Sequence, residues 1–254
     1  EGHVLGEIWG LQTAGIYQTD VEAENGPDQS LFYPRWGAGD IHYRDMDGDN
    51  VITRGTWTAD DAGDYSIIGN TSPRFLTGLM AGLEWKGFDV SMFWQGILKR
   101  DYAFDGNVDM TFFGFLGQQW WGMNMWEKGN NTTLDYWRPA DETNLLGPNT
   151  GAYYPRPYLS QEDYKNKQIQ TRYTQNASYL RLKNLSVGYT LPAHITQVTP
   201  LSNVKIYLSG ENLLTITGLT KLIDPEALSQ GYGGGTGKIH FPRKVYSVGL
   251  NVSF

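Results

Sequence analysis

The sequence lacks cysteine, lacks a long apolar segment and carries few charged side chains. Without cysteine, the 254 residues can form no disulfide framework, no Cys-ligated zinc site and no thiol nucleophile. No apolar segment reaches the length of a membrane-spanning helix and no signal peptide is recognisable, which excludes a helical membrane protein. Charged residues make up 19% and the net charge is −7. No basic stripe is present, so nucleic acid is not an expected partner.

The residue types that are abundant favour strands and turns. The sequence has 16 Tyr, 9 Trp and 31 Gly, and aromatic residues are typical of strands whereas glycine is typical of turns. The opening residues, EGHVLGEIWG, contain neither a methionine nor an export signal. We therefore expect this chain to be part of a longer polypeptide.

The end of the sequence alternates between two kinds of side chain. In Val245–Phe254 the even positions are apolar and the odd positions mostly small or polar, which is the period of a β-strand. A soluble sandwich can contain such a strand, but a terminal amphipathic strand with a final aromatic residue is typical of outer-membrane barrels. The same alternation predicts four more strands, at Phe75–Trp85, Phe88–Leu98, Tyr179–Leu191 and Val204–Leu208. A β-bulge near Lys183-Asn184 would explain a change of parity within the third of these.

The connections between these strands alternate in length. Lys86-Gly87 and Pro192–Leu201 are short, whereas residues 99–178 and 215–244 are long. Barrels of the outer membrane have short periplasmic turns and long extracellular loops. The pattern therefore predicts extracellular loops at 19–74, 99–178 and 215–244. A first strand within Val4–Gln18 would make about six strands in all, too few to close a barrel without further strands outside this chain.

Several short motifs in this sequence resemble, in order, those of the SusC/RagA-like TonB-dependent transporters. The segments are Gly39-Asp40-Ile41 with Tyr43-Arg44-Asp45-Met46-Asp47-Gly48-Asp49, Ile68-Gly69-Asn70 with Pro73-Arg74-Phe75, Glu84-Trp85-Lys86-Gly87-Phe88-Asp89, Phe93 with Gln95-Gly96, Tyr136-Trp137 with Pro139, Tyr154-Pro155-Arg156, Ser178-Tyr179-Leu180-Arg181-Leu182-Lys183-Asn184, Gly188-Tyr189 with Leu191-Pro192, Ser209-Gly210-Glu211-Asn212-Leu213, Asp224-Pro225-Glu226 and Phe241-Pro242-Arg243. Each motif alone is weak, but the ordered set is specific.

The resemblance implies an all-β fold, in which residues 1–254 form C-terminal strands of a large antiparallel transmembrane β-barrel of the 22-strand class. The plug and the N-terminal strands would lie outside this chain. The family resemblance further implies import of glycan or peptide fragments across the bacterial outer membrane. The implied partners are a SusD-like surface lipoprotein, the TonB complex (through the missing N-terminal part), the remainder of the same barrel, the lipid bilayer and an oligosaccharide or peptide cargo.

One acidic segment has the composition of a calcium loop. Asp45, Asp47 and Asp49 alternate, and the carbonyl of Val51 would occupy the seventh position of an EF-hand-type loop. The loop departs from that pattern because glycine is at position four and Thr56 stands where a bidentate acid belongs. Asp60, Asp61 or Asp64 would have to substitute for that acid. The alternatives are a structural Ca²⁺ site and a solvated acidic turn.

A second candidate site is an aromatic cluster in the longest predicted loop. Indole rings stack against sugars and also anchor peptides, so we predict substrate binding by Trp120, Trp121, Trp126 and Trp137. These residues, with Tyr136, can instead form the small core that a long ordered loop needs. No catalytic motif is recognisable, and the histidines lack metal-ligand spacing. We therefore expect that the chain is not an enzyme.

Two other function classes remain open at the level of the sequence. One is a soluble all-β carbohydrate-binding module, and the other is a glycosidase with two opposed carboxyl groups. The exposure of the alternating apolar faces distinguishes the first from a barrel wall, because two sheets of a sandwich bury those faces against each other. Trp85 and Phe88, which flank the Lys86-Gly87 turn, should be exposed in a barrel wall and buried in a sandwich.

Overall fold

The chain is built mostly of antiparallel strands, which confirms the predicted fold class. The computed structural model describes residues 3–58, 60–104, 135–141, 143, 146–158, 160–196, 200–220, 224–228 and 242–253. Across those ranges, no helix is both long enough and apolar enough to cross a membrane. The chain divides into two compact units, which are described separately below.

The first unit, called the sheet unit, contains Pro73–Arg100, Asn176–Leu219 and His240–Phe254. Its strands are β5 (Phe75–Trp85), β6 (Phe88–Leu98), β9 (Tyr179–Thr190), β10 (Asn203–Thr217) and β11 (Val245–Ser253). They form one antiparallel sheet in the order β11-β10-β9-β6-β5. A short helix, α2, follows β9 at Ala193–Thr196.

All five predicted wall strands are present in this sheet. The β5–β6 hairpin has the predicted bounds and turns at Lys86 and Gly87, which both have positive φ (48° and 87°). Glycine adopts such a backbone readily, so the turn can be this tight. β10 is longer than predicted, because its pairing with β9 continues as far as Thr217.

The bulge predicted near Lys183-Asn184 is confirmed by the register. Phe93 pairs with Asn184, but the next residue, Trp94, pairs with Leu182, so Lys183 has no opposite partner on β6. The neighbouring β10 shifts its register against the same point of β9. Before the bulge the even-numbered side chains of β9 lie on the apolar face, and after it the odd-numbered ones do, because the bulge inserts one extra residue. The apolar side chains on both sides of the bulge therefore lie on one face.

The two faces of the sheet differ in polarity. On one face, called the apolar face, the register aligns β5, β6, β9, β10 and β11 through residues such as Leu79, Trp94, Leu182, Leu214 and Val248. The opposite face carries most of the polar residues, including an ion pair between Lys205 and Asp89 (2.8 Å). β5 is an exception, because Leu76 and Met80 lie on the opposite face and are also exposed.

The second unit, called the loop unit, contains Glu1–Ser72, Asp101–Gln175 and Thr220–Ile239. Its strands form two-stranded sheets in which β1 pairs with β4, β2 with β3 and β7 with β8. The helical segments are α1 and two 3₁₀ helices. The element bounds are β1 (Glu7–Leu11), β2 (Thr13–Ile16), α1 (Asp20–Glu24), β3 (Ile41–Tyr43), β4 (Tyr65–Asn70), β7 (Asp101–Ala103), the 3₁₀ helices Gln161–Lys167 and Thr171–Tyr173, and β8 (Thr174–Asn176).

Short strands in the loop unit are held by one apolar core. Its buried members are Leu11, Phe32, Ile41, Tyr43, Ile52 and Tyr65. These residues come from three strands (β1, β3 and β4) and two loops, so these three strands are stabilised by long-range packing. Thr19 caps α1 by accepting a hydrogen bond from the N–H of Glu22 (3.1 Å), and such caps contribute about 1 kcal/mol.

The strand expected within Val4–Gln18 is not a sixth strand of the five-stranded sheet, so the prediction of about six wall strands is corrected to five. Residues Glu7–Leu11 pair with β4 in a separate two-stranded sheet. The physical reason is length: β1 has 5 residues, whereas a membrane-crossing strand needs about 9–11. The pairing of Leu11 with Tyr65 also places this strand against the core of the loop unit.

Candidate functional site

The predicted calcium loop has its three aspartates close together. Oxygen atoms of Asp45, Asp47 and Asp49 lie within 4.8 Å of one another. Gly48 and Asn50, which have positive φ (83° and 64°), curl the backbone between β3 and the Asp28–Val51 bridge. Within this turn the chain folds back on itself over a few residues, and the alternating carboxylates are therefore brought together.

Backbone amides already solvate part of this cluster. The carboxylate of Asp45 accepts hydrogen bonds from the N–H groups of Gly48 (2.7 Å) and Asn50 (2.8 Å), and these bonds lower its pKa. Asp49 accepts from the N–H of Val51 (2.8 Å). The structure thus places Val51 beside the cluster, and the use of its carbonyl as a ligand stays a prediction.

The carboxyl group of Asp47 is affected by three other carboxylates. The N–H of Asp49 lowers its pKa, but desolvation and the nearby carboxylates of Asp49, Asp64 and Asp45 together outweigh that bond. The net result is a pKa raised above the usual value for Asp. A cation at the cluster would relieve this repulsion, because it favours the ionised form of every carboxylate around it.

Two of the acids considered as substitutes for the missing bidentate ligand have structural partners. The carboxylate of Asp61 accepts from the N–H groups of Thr56 (2.8 Å) and Gly63 (3.4 Å). Asp64 is fully buried and accepts from the N–H groups of Met46 and Thr53 (both 2.7 Å). These bonds give both side chains a role in closing the loop, and Asp64 also adds negative potential at Asp47.

The aromatic candidates of the long loop are described only in part. Trp120, Trp121 and Trp126 lie outside the described residues. Trp137 is 3% exposed, and its indole N–H donates to the Oε1 atom of Gln18 (3.1 Å). This geometry makes the ring part of the packing of the loop unit, and substrate binding by Trp137 stays a prediction without geometric support.

Sequence reasoning missed a buried ion-pair centre in the loop unit. The Nζ atom of Lys165 lies 2.7 Å from Asp40 and 2.9 Å from Glu162, and the side chains of Lys165 and Asp40 are almost completely buried. The rings of Tyr158, Trp36 and Tyr33 surround the ammonium group at 4.5, 5.2 and 5.6 Å from their centroids. Such contacts stabilise a desolvated cation.

Asp40 also organises the polar atoms around this centre. Its carboxylate accepts hydrogen bonds from the hydroxyl of Tyr158 (2.9 Å), the side-chain amide of Asn166 (2.8 Å) and the N–H of Gly37 (2.9 Å). Burial and the charge of Asp40 raise the pKa of Tyr158 well above its usual range. The only signal in the sequence was the Gly39-Asp40-Ile41 motif, because Lys165 is more than 120 positions away.

The apolar face of the sheet unit is a further candidate functional surface. Trp85 and Phe88 are 64% and 51% exposed, which meets the expectation for a barrel wall and contradicts the soluble sandwich. Further exposed apolar side chains on this face are Phe75, Leu79, Leu83, Leu98, Val187, Ile206, Leu208, Leu214, Ile216, Tyr246, Val248 and Leu250. Water-soluble proteins rarely expose an apolar surface of this extent, which marks an interaction surface for lipid or protein.

Known proteins similar to this chain are TonB-dependent receptors. The TonB-dependent receptor P3 of Formosa agariphila is 30% identical over 236 residues, which are 89% of this chain and 19% of that protein. The TonB-dependent receptor P26 of the same organism is 25% identical over 85% of this chain and 20% of its own length. The chain thus spans about a fifth of the length of these curated relatives. No family model matches the chain.

Solved structures show the same fold. The structure of the RagAB peptide importer in its open-open state matches 98% of this chain and 22% of the compared chain, with a TM-score of 0.54 and 23% identity. A structure of the RagAB peptide transporter matches 98% of this chain and 23% of the compared chain, with a TM-score of 0.55 and 22% identity.

The fold and the exposed apolar face define a segment of an outer-membrane-type barrel wall with a folded loop unit. The chain is a relative of the TonB-dependent receptors, as its sequence similarity shows, and the resemblance to SusC/RagA-type transporters is confirmed. These relatives are receptors and importers, in agreement with the prediction that the chain is not an enzyme.

Proposed function

We propose that the complete protein containing this chain imports glycan or peptide fragments across the bacterial outer membrane in a TonB-dependent manner. The chain contributes five strands of the wall and the extracellular loops at 19–74, 99–178 and 215–244. The observation that carries this proposal is the exposed apolar face, which continues across all five strands and ends at Trp85 and Phe88 beside a tight turn.

The dimensions and polarity of the sheet support a position in the bilayer. β5 and β6 have 11 residues each, and a tilted strand needs about 9–11 residues to cross the hydrocarbon layer. The apolar face contacts lipid, and the opposite face, with Lys205, Asp89 and Arg181, lines the interior. Every strand at a free edge of this sheet pairs with a further strand of the same barrel, since lipid cannot satisfy backbone N–H and C=O groups.

The proposed partners follow from the relatives. A RagAB importer is a two-component assembly by its name, and we expect a SusD-like surface lipoprotein to bind the extracellular side of the complete protein. The TonB complex drives transport through segments outside this chain. The cargo is an oligosaccharide or a peptide.

The first test is the mass and location of the intact polypeptide. Detergent extracts of outer membranes should contain a species several times larger than 28.6 kDa that includes this sequence, and deletion of its gene should abolish uptake of labelled oligosaccharide or peptide mixtures. A proton uncoupler should abolish the same uptake. A monodisperse 28.6 kDa protein in detergent-free buffer would contradict the importer and favour the soluble binding module.

We also propose that Ca²⁺ binds between Asp45, Asp47 and Asp49 and braces the loop unit. The proposal is supported by the 4.8 Å grouping of their oxygens and by the raised pKa of Asp47. Calcium takes six to eight oxygen ligands, so backbone carbonyls or water must complete the shell. The ion would have a structural role, because no catalytic group is recognised nearby.

The calcium proposal is tested by titration of the complete receptor with Ca²⁺ after chelation. Calorimetry should detect a site that is lost in Asp47→Asn and kept in the matched variant Asp20→Asn, which changes an acid outside the cluster. Binding should weaken as the pH falls through the raised pKa of Asp47, because a protonated carboxyl group ligates poorly. Equal binding by both variants would show that this loop does not hold the ion.

A further inference from the structure

The loop unit contains an open aromatic pocket, and none of its lining residues belongs to the acidic cluster. Its volume is about 230 Å³, and it is lined by His3, Trp9, Trp57, Thr58, Ala62 and Tyr65. Trp9 lies on β1 and Tyr65 on β4. Since Trp9 pairs with Ile67 and Leu11 pairs with Tyr65, Trp9 and Tyr65 are diagonal neighbours on one face of this small sheet.

The position of Trp57 is not explained by packing alone. The residue has φ +57°, a left-handed backbone that is an outlier for a bulky side chain, and it is nevertheless 62% exposed. A strained backbone persists only where the surrounding structure imposes it, and such residues cluster at binding sites. An exposed indole that is held at the mouth of an aromatic pocket therefore indicates a binding role.

The loop around Trp57 is built to hold this conformation. The N–H of Trp57 donates to the carbonyl of Arg54 (3.1 Å), and the N–H of Thr58 donates to the carbonyl of Asp61 (3.1 Å). The side chain of Asp61 binds the N–H of Thr56 on the other side of the turn. The indole ring itself meets Tyr65 edge to face, with centroids 5.0 Å apart, and the Arg54 guanidinium lies 5.8 Å from its centroid.

The lining predicts the chemistry of the ligand. Apolar surface dominates, and the polar groups of the lining are the His3 ring and the Thr58 hydroxyl. The Nδ1 atom of His3 is bonded to Glu7 (2.9 Å) and the Thr58 hydroxyl to that of Thr56 (3.1 Å), so the second ring nitrogen and the remaining capacity of the hydroxyl are the groups that can bond a ligand hydroxyl.

None of the six lining residues is an acid, a lysine or an arginine. The neighbouring charged groups, Glu7 and Arg54, contact the His3 ring (2.9 Å) and the Trp57 ring (5.8 Å), so the lining itself presents no charge of one sign and favours a neutral ligand. The pocket is open rather than enclosed, and its lining offers the ring surfaces of Trp9, Trp57 and Tyr65. These features suit the apolar face and the hydroxyl rim of a pyranose ring.

We propose that this pocket binds one neutral pyranose unit by stacking on Trp57, with Trp9 and Tyr65 forming the walls. A peptide with an aromatic side chain is the competing occupant, and the open shape and hydroxyl-compatible rim favour the sugar. The inference rests on the proposed function only in so far as a sugar bound here would be cargo. Binding itself can be measured without transport.

The test uses the complete receptor in detergent, with 5-fluorotryptophan incorporated in place of tryptophan. The fluorine resonance of residue 57 is assigned as the one missing from Trp57→Phe. Glucose, galactose, mannose, xylose and N-acetylglucosamine are added separately to saturating concentrations, and N-acetylphenylalaninamide is the peptide-like probe. At least one sugar should shift the Trp57 resonance saturably, and the amide should not.

Two variants separate stacking from folding. Trp57→Gly relieves the left-handed strain and should weaken binding of the responding sugar about tenfold, which corresponds to about 1.4 kcal/mol. Binding to this variant is followed at the resonance of Trp9, which is assigned as the one missing from Trp9→Phe. Leu31→Ala changes an exposed apolar residue that does not line the pocket, and it should leave the affinity unchanged. An unchanged affinity in Trp57→Gly would overturn the stacking role.

Two further results would decide against sugar binding in this pocket. No response at Trp57 to any of the five sugars, or a saturable response to N-acetylphenylalaninamide, would overturn the proposal. Uptake of labelled cargo is measured in parallel in cells. Uptake without sugar binding at Trp57 refutes this pocket and leaves the importer, whereas sugar binding without uptake refutes the importer and leaves the pocket.

Discussion

The sheet unit and the loop unit differ in where they place their apolar side chains. The sheet unit has long regular strands and leaves large apolar side chains such as Leu79 and Val248 exposed. The loop unit has short strands and buries both an apolar core and a charged pair, Lys165 with Asp40. In the sheet unit, neighbouring strands pair their backbone N–H and C=O groups, but the apolar side chains of one face are buried by no other part of the unit that the structure describes. In the loop unit, the apolar and charged side chains from different segments are buried against each other.

The comparison extends to ion pairs. The Lys165–Asp40 pair is almost fully buried, whereas Lys205 and Asp89 in the sheet unit are 33% and 24% exposed at a similar distance of 2.8 Å. Removing one partner of a buried pair leaves a desolvated charge, but water can solvate the survivor of an exposed pair. Two ion pairs with similar N–O distances can therefore contribute different amounts to the free energy of unfolding.

The largest effect is expected from breaking the buried pair. Asp40→Ala leaves the Lys165 ammonium without its closest carboxylate and removes the acceptor of Tyr158 and Asn166, and we expect a loss of about 3–5 kcal/mol. Hydrogen exchange of the Tyr43 amide in the complete receptor measures the stability of the loop unit. A change below about 1 kcal/mol would show that Glu162 alone can hold the lysine.

Charge on the apolar face should come next. Leu208→Arg places a cation on the lipid side of β10, where a charge near the bilayer midplane costs roughly 2–4 kcal/mol. Ser209→Arg is the matched control, because the adjacent residue points to the opposite face. The amount of folded receptor in outer membranes should fall only in the first variant. Equal loss in both would contradict the assignment of the lipid face.

A single buried hydroxyl is expected to have a smaller effect. The hydroxyl of Tyr43 donates to the carbonyl of Lys165 (2.7 Å), and Tyr43→Phe should destabilise the loop unit by about 1–2 kcal/mol. Tyr246→Phe removes a hydroxyl from a ring that is 74% exposed and should have no measurable effect. Hydrogen exchange and thermal unfolding compare the two variants, and a reversed order would contradict the burial of Tyr43.

The smallest effect is expected at the partly exposed Lys205–Asp89 pair. Lys205→Met should change the stability of the sheet unit by less than about 1 kcal/mol, because water replaces the lost partner of Asp89. Thermal unfolding at low and high salt measures this contribution, and the difference from wild type should shrink as salt rises. A loss comparable to that of Asp40→Ala would mean that the interior face is far less hydrated than its exposure indicates.

The sheet unit could be predicted from the sequence because its structure is periodic. Alternation identified β5, β6, β9 and β11 to within one residue, and the parity change located the bulge at Lys183. The error was at β1, where a short strand looked like a wall strand until its pairing with β4 was known. Five residues are too few to reveal whether alternation serves a lipid face or a small core.

The candidate sites also differ in how far the sequence predicts them. The acidic cluster was predictable, because Asp45, Asp47 and Asp49 are close in sequence and one turn brings their oxygens within 4.8 Å. The buried pair and the Trp57 pocket were not. Lys165 meets Asp40 across about half the chain. Trp57 and Thr58 are held by hydrogen bonds to Arg54 and Asp61, but the pocket forms only because His3 and Trp9, about fifty positions earlier, lie beside Trp57.

The amino-acid order by itself determined which residues form the wall, which face of it is apolar, where the tight hairpin turns and which acids form the cluster. These features depend on neighbours within a few positions, and local backbone geometry acts over that range. Only the tertiary structure decided that the first strand belongs to the loop unit, that Lys165 is buried among aromatic rings and that Trp57 borders a pocket. Those outcomes depend on packing between distant segments, where burial and hydrogen bonding override local preference.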